Sequence, residues 1–135
     1  MASTFRLTVV APDRTVFDED AMSWVAPSAG GYLGVWKGHE PTLIALNPGV
    51  IEVTAADDQI HHVAVGGGFA EIRPDGVVVL AQEAKLASEI DVAEEERRVE
   101  EARKALRGEA SDLGQAEARH ELDRAMSRIR ATKMK

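Results

Sequence analysis

The periodicity of this chain changes once, near Ala87, and that change constrains the fold more than any other feature. Before it, apolar residues alternate with polar ones. Phe5, Leu7 and Val9 recur at every second position, as in a strand with one buried face. Val50 to Val53, His62 to Val65, Phe69 to Ile72 and Val77 to Ala81 read as further short strands. Turn signals at Pro48-Gly49, Asp57-Asp58 and Pro74-Asp75-Gly76 set them apart. Ala29 to Glu40 holds four glycines and reads as a long shaped loop. Closely spaced short strands of this kind predict an antiparallel sandwich or barrel.

After Ala87 the pattern becomes helical. Asp91-Val92-Ala93-Glu94 has the form of a capping box, with Asp91 as N-cap and Glu94 at N3. A helix is predicted from there to about Arg107, with Gly108 as its stop. Asp112, three residues before Gln115, is expected to cap a second helix running to about Ala131. The apolar stripes are thin: Val92, Val99, Ala102 and Leu106 on the first helix, and Leu122, Ala125, Met126 and Ile129 on the second. A short polar turn between them makes an antiparallel hairpin. Each buried Leu or Ile contributes roughly 1.5–3 kcal/mol and Ala much less, while ordering each residue's backbone costs about 1–2 kcal/mol. Such a hairpin is marginal alone and suited to docking, undocking or changing partner. The expected architecture is a β-sandwich over residues 1–87 and a two-helix hairpin over 88–135, a segregated α+β chain.

Composition excludes several function classes. There is no cysteine, hence no disulfide framework, zinc ribbon or cysteine nucleophile. Aromatics are 4% of the residues, which predicts an aliphatic core. No apolar stretch approaches the roughly 20 residues that span a bilayer. Met1 to Val10 carries Arg6 and no continuous apolar run, so it does not read as a signal peptide. Any membrane association is expected to come through a partner. The net charge of −7 argues against nucleic acid as the main partner. That charge is uneven: residues 1–87 hold 11 acidic and 5 basic side chains, and residues 88–135 hold 12 and 11. Arg119, Arg124, Arg128, Arg130, Lys133 and Lys135 form a basic tip, to which an acidic protein partner is one answer and a solvated helix end another.

The candidate chemistry is sparse. Adjacent His61 and His62 point to opposite faces of a strand and cannot chelate one ion together, so they read as sheet-surface histidines. His39-Glu40 could be an acid–base pair but has no nucleophile motif and no third orienting residue. Gly66-Gly67-Gly68 lacks the Lys-Ser/Thr of a phosphate loop and opens no helix; a glycine-rich strand junction or bulge is the better reading. Glu94-Glu95-Glu96 reads as a solvated helix face that complements the helix dipole. From these residues the chain is an interaction protein. A free-standing adaptor and a small hydrolase using His39 and Glu40 remain as alternatives.

Specific segments then carry a resemblance. Gly31-Tyr32-Leu33-Gly34-Val35-Trp36-Lys37-Gly38-His39-Glu40-Pro41, Pro48-Gly49-Val50, Val65-Gly66-Gly67-Gly68-Phe69-Ala70-Glu71-Ile72 and Val77-Val78-Val79-Leu80-Ala81 are similar, in order, to the epsilon subunits of bacterial F-type ATP synthases. Arg124-Ala125-Met126-Ser127-Arg128-Ile129 resembles the second helix of epsilon subunits from Gram-positive thermophiles. The resemblance implies a non-catalytic subunit of the central stalk, with a sandwich bound to the gamma subunit and the membrane c-ring. It implies a hairpin that moves between a folded and an extended state. Extended, the hairpin meets the alpha and beta subunits and blocks ATP hydrolysis. It implies a peripheral location on the cytoplasmic face of the bacterial membrane, reached through the complex.

By position, Tyr32, Gly38 and His39 fall in the loop that faces the c-ring. Tyr32 departs from a frequent glutamate of the family and Lys37 from a frequent proline. Arg119, Arg124, Arg128 and Arg130 fall on the inhibitory helix. Some relatives bind ATP between the folded helices, through a first helix opening Ile/Leu-Asp-x-x-Arg-Ala. Here Ile90 and Asp91 match, as do Arg124 and Arg128, but Glu94-Glu95 replaces Arg-Ala and Lys85 replaces a common glutamate. A nucleotide site is therefore half present, and ATP binding is expected to be weak or absent. No other cofactor is implied.

Overall fold

The computed structural model describes residues 4–28, 31–36, 41–109 and 113–134, and for 31–36 the backbone alone. Seven strands come first: β1 (Phe5–Ala11), β2 (Arg14–Ser28), β3 (Gly31–Trp36), β4 (Thr42–Ala55), β5 (Ile60–Arg73), β6 (Gly76–Ala81) and β7 (Ala84–Leu86). A turn of 3₁₀ helix (Ala87–Glu89) leads into α1 (Val92–Leu106) and α2 (Gln115–Lys133). This is the expected order of a β-sandwich followed by a helical hairpin.

The strands run in the order β1-β6-β5-β4-β2-β3, and β1 also pairs with β2, so the sheet closes on itself around one core. All pairings are antiparallel except β1 with β6. The alternation in β1 is realised: Phe5, Leu7, Val9 and Ala11 are buried. Trp24 is the largest fully buried side chain, and Phe5 and Phe17 join it. Aromatic scarcity thus predicted the core chemistry imperfectly, because three aromatics were spent inside.

Two expectations about turns are corrected. Pro48-Gly49 is not a turn but lies within β4, where Pro48 pairs with Gly66 and Gly49 with Val65. His62–Val65 and Phe69–Ile72 are likewise one strand, β5. The physical reason is a bend with a change of side-chain parity. On β4, Leu46 reaches the core before the bend and Ile51 and Val53 after it. On β5, Val63 and Val65 reach it before Gly67-Gly68 and Ala70 and Ile72 after. Gly67 and Gly68 take φ of +102° and +140°, and a Cβ on Gly68 would lie 2.1 Å from the Leu80 carbonyl oxygen. Gly66–Gly68 is therefore a glycine-rich bend inside one strand rather than a junction between two. Asp57-Asp58 and Pro74-Asp75 are turns as expected, with Asp58 at φ +70°. The loop expected over 29–40 is in part a strand: Gly31–Trp36 pairs with Ser23–Ser28.

In α1 the Asp91 carboxylate accepts the Glu94 backbone N–H at 3.3 Å, as a cap should. The Glu94 side chain turns to Arg97 instead of completing the box. At the far end Gly108 donates to the Ala105 carbonyl and Glu109 to that of Lys104, the bonds of a glycine-terminated helix. The second helix starts later than expected: its N-cap is Gly114, while Asp112 lies outside the described residues. Val99, Ala102, Leu122 and Ala125 join the two helices, with Leu106 and Ile129 partly covered. Met126, expected in that seam, is exposed. Helix α2 lies on β4 and β5, where Ala131 covers Val50 and Ala64.

Candidate functional site

The sequence suggests a solvated acidic face on α1 and a basic tip on α2. Folding turns part of each inward. Glu95 and Arg128 are both buried, at 1% and 8% exposure. Glu95 lies within the first turn of α1, one residue past Glu94, and the helix pitch turns it toward α2 while Glu96 faces solvent. Arg128 Nη1 donates to Glu95 Oε1 at 3.0 Å, and Arg98 Nη1 donates to Glu95 Oε2 at 2.8 Å. The other end of Arg128 pairs with Glu83, in the connection between β6 and β7. Arg124, one turn earlier on α2, lies 3.5 Å from the Glu83 carboxylate and 2.9 Å from Glu121. Burial pushes the Arg128 guanidinium below its ordinary value, yet a guanidinium stays a cation in proteins. The solvated-face reading of 94–96 is thus corrected for Glu95. Sequence reasoning missed it because three consecutive glutamates give no sign of which one the helix will turn inward.

Beside this cluster is an open cleft of about 430 Å³ with Arg14, Lys85, Arg98 and Arg128 on its walls, opposed by Asp13 and Glu83. The nucleotide candidates sit around α1. Ile90 packs beside Val50, Ala64 and Ala131, and Asp91 is the N-cap. Arg124 and Arg128 are already paired with carboxylates. Glu94 faces Arg97 at 2.6 Å, and that hydrogen bond holds its carboxyl below the ordinary value. Arg119 and Arg130 are exposed on α2.

Of the loop candidates, Tyr32 has its backbone in β3 opposite Pro27, and Gly38, His39 and Glu40 lie outside the described residues. The two adjacent histidines do diverge, and among the described residues no group of three metal-ligating side chains assembles. They are less superficial than expected: His62 is buried and 3.3 Å from Glu52, while His61 is tilted against Phe17 at 5.4 Å between ring centroids.

The sandwich also leaves apolar groups outside. Phe69 and Leu80 are cross-strand partners on β5 and β6, and both are more than half exposed, as is Leu43 on β4. Phe69 and Leu80 line a second cleft of about 330 Å³ with Val10 and Pro12. Among the described residues no helix is long and apolar enough to cross a membrane.

With this geometry in view, the comparisons agree with one another. Residues 4–87 match the family described as the beta-sandwich domain of the ATP synthase delta/epsilon chain. The chain is 38% identical to an ATP synthase epsilon chain of Syntrophomonas wolfei, over 96% of this chain and 95% of that one. It is 40% identical to an ATP synthase epsilon chain of Trichodesmium erythraeum, over 95% of each. A chain in the mitochondrial ATP synthase of Euglena gracilis, solved with OSCP, F1 and c-ring, superposes with a TM-score of 0.79 at 25% identity, over 92% of this chain and 78% of that chain. The chain belongs to the family of ATP synthase epsilon chains, non-catalytic subunits of the enzyme complex.

Proposed function

We propose that the sandwich holds this subunit on the rotor, coupling the catalytic head to the c-ring, and that the hairpin restrains ATP hydrolysis. The observation that carries the reading is the contrast between its two surfaces. The sandwich presents Phe69, Leu80 and Leu43 to solvent on strands whose other faces are full. Exposed apolar patches of this kind mark protein contacts, and the gamma subunit is the partner assigned to it here. The Tyr32–His39 segment is assigned to the c-ring. The hairpin, by contrast, is docked through a small apolar contact of Ala131 with Val50 and Ala64 and through the ion pairs of Arg124 and Arg128 with Glu83, which water can replace. On release, Arg124 and Arg128 come free of Glu83 and join the already exposed Arg119 and Arg130 in facing acidic segments of the alpha and beta subunits. The subunit is thereby peripheral, on the cytoplasmic face of the bacterial membrane.

The test is ATP hydrolysis by the assembled complex carrying either the full chain or one ending at Ala87. The shortened chain should give the faster enzyme; equal rates would remove restraint from the hairpin's functions. Phe69→Glu with Leu80→Glu should abolish capture of the gamma subunit, and undiminished capture would remove the patch from that interface.

Nucleotide binding is assigned as weak or absent. A triphosphate needs cationic donors, and the two arginines that match the resemblance are already held: Arg128 by Glu95 and Glu83, and Arg124 by Glu121. Glu94 sets an anion where a donor would be needed. Two unit charges 4 Å apart interact by about 4 kcal/mol at an effective dielectric near 20. Calorimetry with Mg-ATP should show no micromolar binding; a micromolar dissociation constant would defeat the charge argument.

A further inference from the structure

We propose that Glu95, Arg128 and Glu83 form an internal latch that holds the hairpin against the sandwich without any ligand. The proposal takes its functional consequence, though not its physics, from the hydrolysis-restraint reading above.

The three residues come from three separate parts of the molecule: α1, α2 and the β6–β7 connection. Arg128 joins both others, so a single guanidinium ties the helices to each other and to the sheet. Both oxygens of Glu95 are used, one by Arg128 and one by Arg98, at 3.0 and 2.8 Å. Arg98 is two-thirds covered and also lies 3.6 Å from Glu94. The remaining charged groups around the cluster are Asp13, Arg14 and Lys85, which share the cleft wall, and Arg124 with Glu121.

Such a contact behaves unlike an apolar seam. When the helices part from each other and from the sheet, water solvates each charge and little is lost in the open state. When the hairpin is closed, removing one partner takes from a buried charge one of its two ion pairs, leaving Arg128 with Glu83 alone or Glu95 with Arg98 alone, which is costly. Removing both together leaves an apolar contact that is often neutral or better. The latch is therefore specific for the closed geometry and sensitive to the loss of one charge. The apolar seam around Val99, Ala102, Leu122 and Ala125 has no such selectivity, since those side chains pack wherever the helices meet.

The experiment is amide hydrogen exchange on the isolated full-length chain, without nucleotide, for Glu95→Gln, Arg128→Met and the double variant Glu95→Leu with Arg128→Met. Each single variant should lower protection of α2 amides at least tenfold while β1 and β4 amides keep theirs. The double variant should recover much of the loss. Mg-ATP at millimolar concentration should not change protection of the unaltered chain. Unchanged α2 protection in both single variants overturns the latch, and so does a double variant whose loss is the sum of the two. If a single variant also loosens β1 and β4, the double variant decides: recovery supports the latch and further loss overturns it. Hydrolysis by the assembled complex separates the two proposals. An opened hairpin in Glu95→Gln with no fall in hydrolysis rate leaves the latch standing and removes the restraint reading.

Discussion

In the sandwich, 20 buried apolar residues form one cluster; in the seam between the helices, among the described residues, the buried apolar cluster has four, two of them alanine. The two regions are consequently held by different physics. The closed sheet excludes water around Trp24, Leu7, Ile51 and their neighbours, and β1, β2, β4, β5 and β6 each pair with at least two others. The helices bury little and make up the difference with ion pairs, one of them inside. An apolar core is non-directional, whereas a buried ion pair matters chiefly through which geometry it permits. A part that must stay in place on a partner and a part that must be able to leave call for those two constructions respectively.

The comparison is broken most directly by equal deletions in each region. Ile51→Ala should cost the chain about 2–5 kcal/mol, since a fully buried side chain leaves a cavity in a core that cannot collapse. The midpoint of thermal unfolding should fall by several degrees or more. Leu122→Ala removes the same kind of group from the helical seam. It should leave the sandwich's own unfolding midpoint nearly unchanged and instead speed exchange of α2 amides. Equal shifts of the main transition in both variants would show that the two regions unfold as one.

The next effect is smaller. A chain ending at Ala87 loses the cover that Ala131 gives to Val50 and Ala64 on the outer face of β4 and β5. The expected cost is about 1–3 kcal/mol, roughly that of exposing one valine and one alanine. The shortened chain should still unfold cooperatively, followed by circular dichroism. A shortened chain that is already unfolded would mean that the hairpin is part of the sandwich's stability.

Where the sequence was legible, one local rule acted alone. The alternation at Phe5, Leu7 and Val9 survives in β1 because each position meets a single core. The cap at Asp91 and the stop at Gly108 are decided within one turn of helix. Where two rules met, the reading failed. Pro48-Gly49 has the chemistry of a turn, but pairing with β5 overrides it, and the reversal of parity there belongs to the bend of the whole sheet. Glu95 reads as solvated because charge argues for exposure, and Arg128 as part of a basic tip facing either solvent or an acidic partner. Their burial depends on each other and on Glu83, residues far apart in the chain, and no local pattern records that. The paired exposure of Phe69 and Leu80 was hidden for the same reason, since both look like core until the facing strands are known.

The end of α1 offers a milder test. Gly108 has φ +82° and nothing lies within 4 Å of where its Cβ would be, so a side chain there meets backbone strain alone. Gly108→Ala should cost about 1–2 kcal/mol, confined to the hairpin. Exchange of the amides of Gly108 and Glu109 should quicken while the sandwich transition stays in place. A shift of that transition would sharpen the comparison in the other direction, by showing that strain in the hairpin is felt in the sheet.

The smallest effect lies at the joint between the two regions. Arg14 of β2 binds Glu89 of the connecting 3₁₀ turn with two parallel hydrogen bonds, 2.8 and 2.9 Å long, and the Leu86 backbone N–H donates to the same carboxylate at 3.2 Å. The Arg14 hydrogen bond, helped by that of Leu86, holds the Glu89 carboxyl below its ordinary value of 4.5 against the opposing effect of burial. A carboxyl depressed in the folded chain stabilises the fold fully above its unfolded value and stops doing so as pH falls through the folded one. Both side chains are more than a third exposed, at 40% and 37%, so screening keeps the contribution to about 1 kcal/mol or less. Glu89→Gln should therefore lower stability by no more than that at neutral pH. The gap between it and the unaltered chain should begin to narrow as pH falls below 4.5 and close as it falls through the lower folded value, where the glutamate becomes protonated and resembles the glutamine. Denaturant unfolding of the two chains at pH 7 and at a pH below 4 measures this. A gap that stays constant across that range would mean that the geometry of the joint, rather than its charge, makes the contribution.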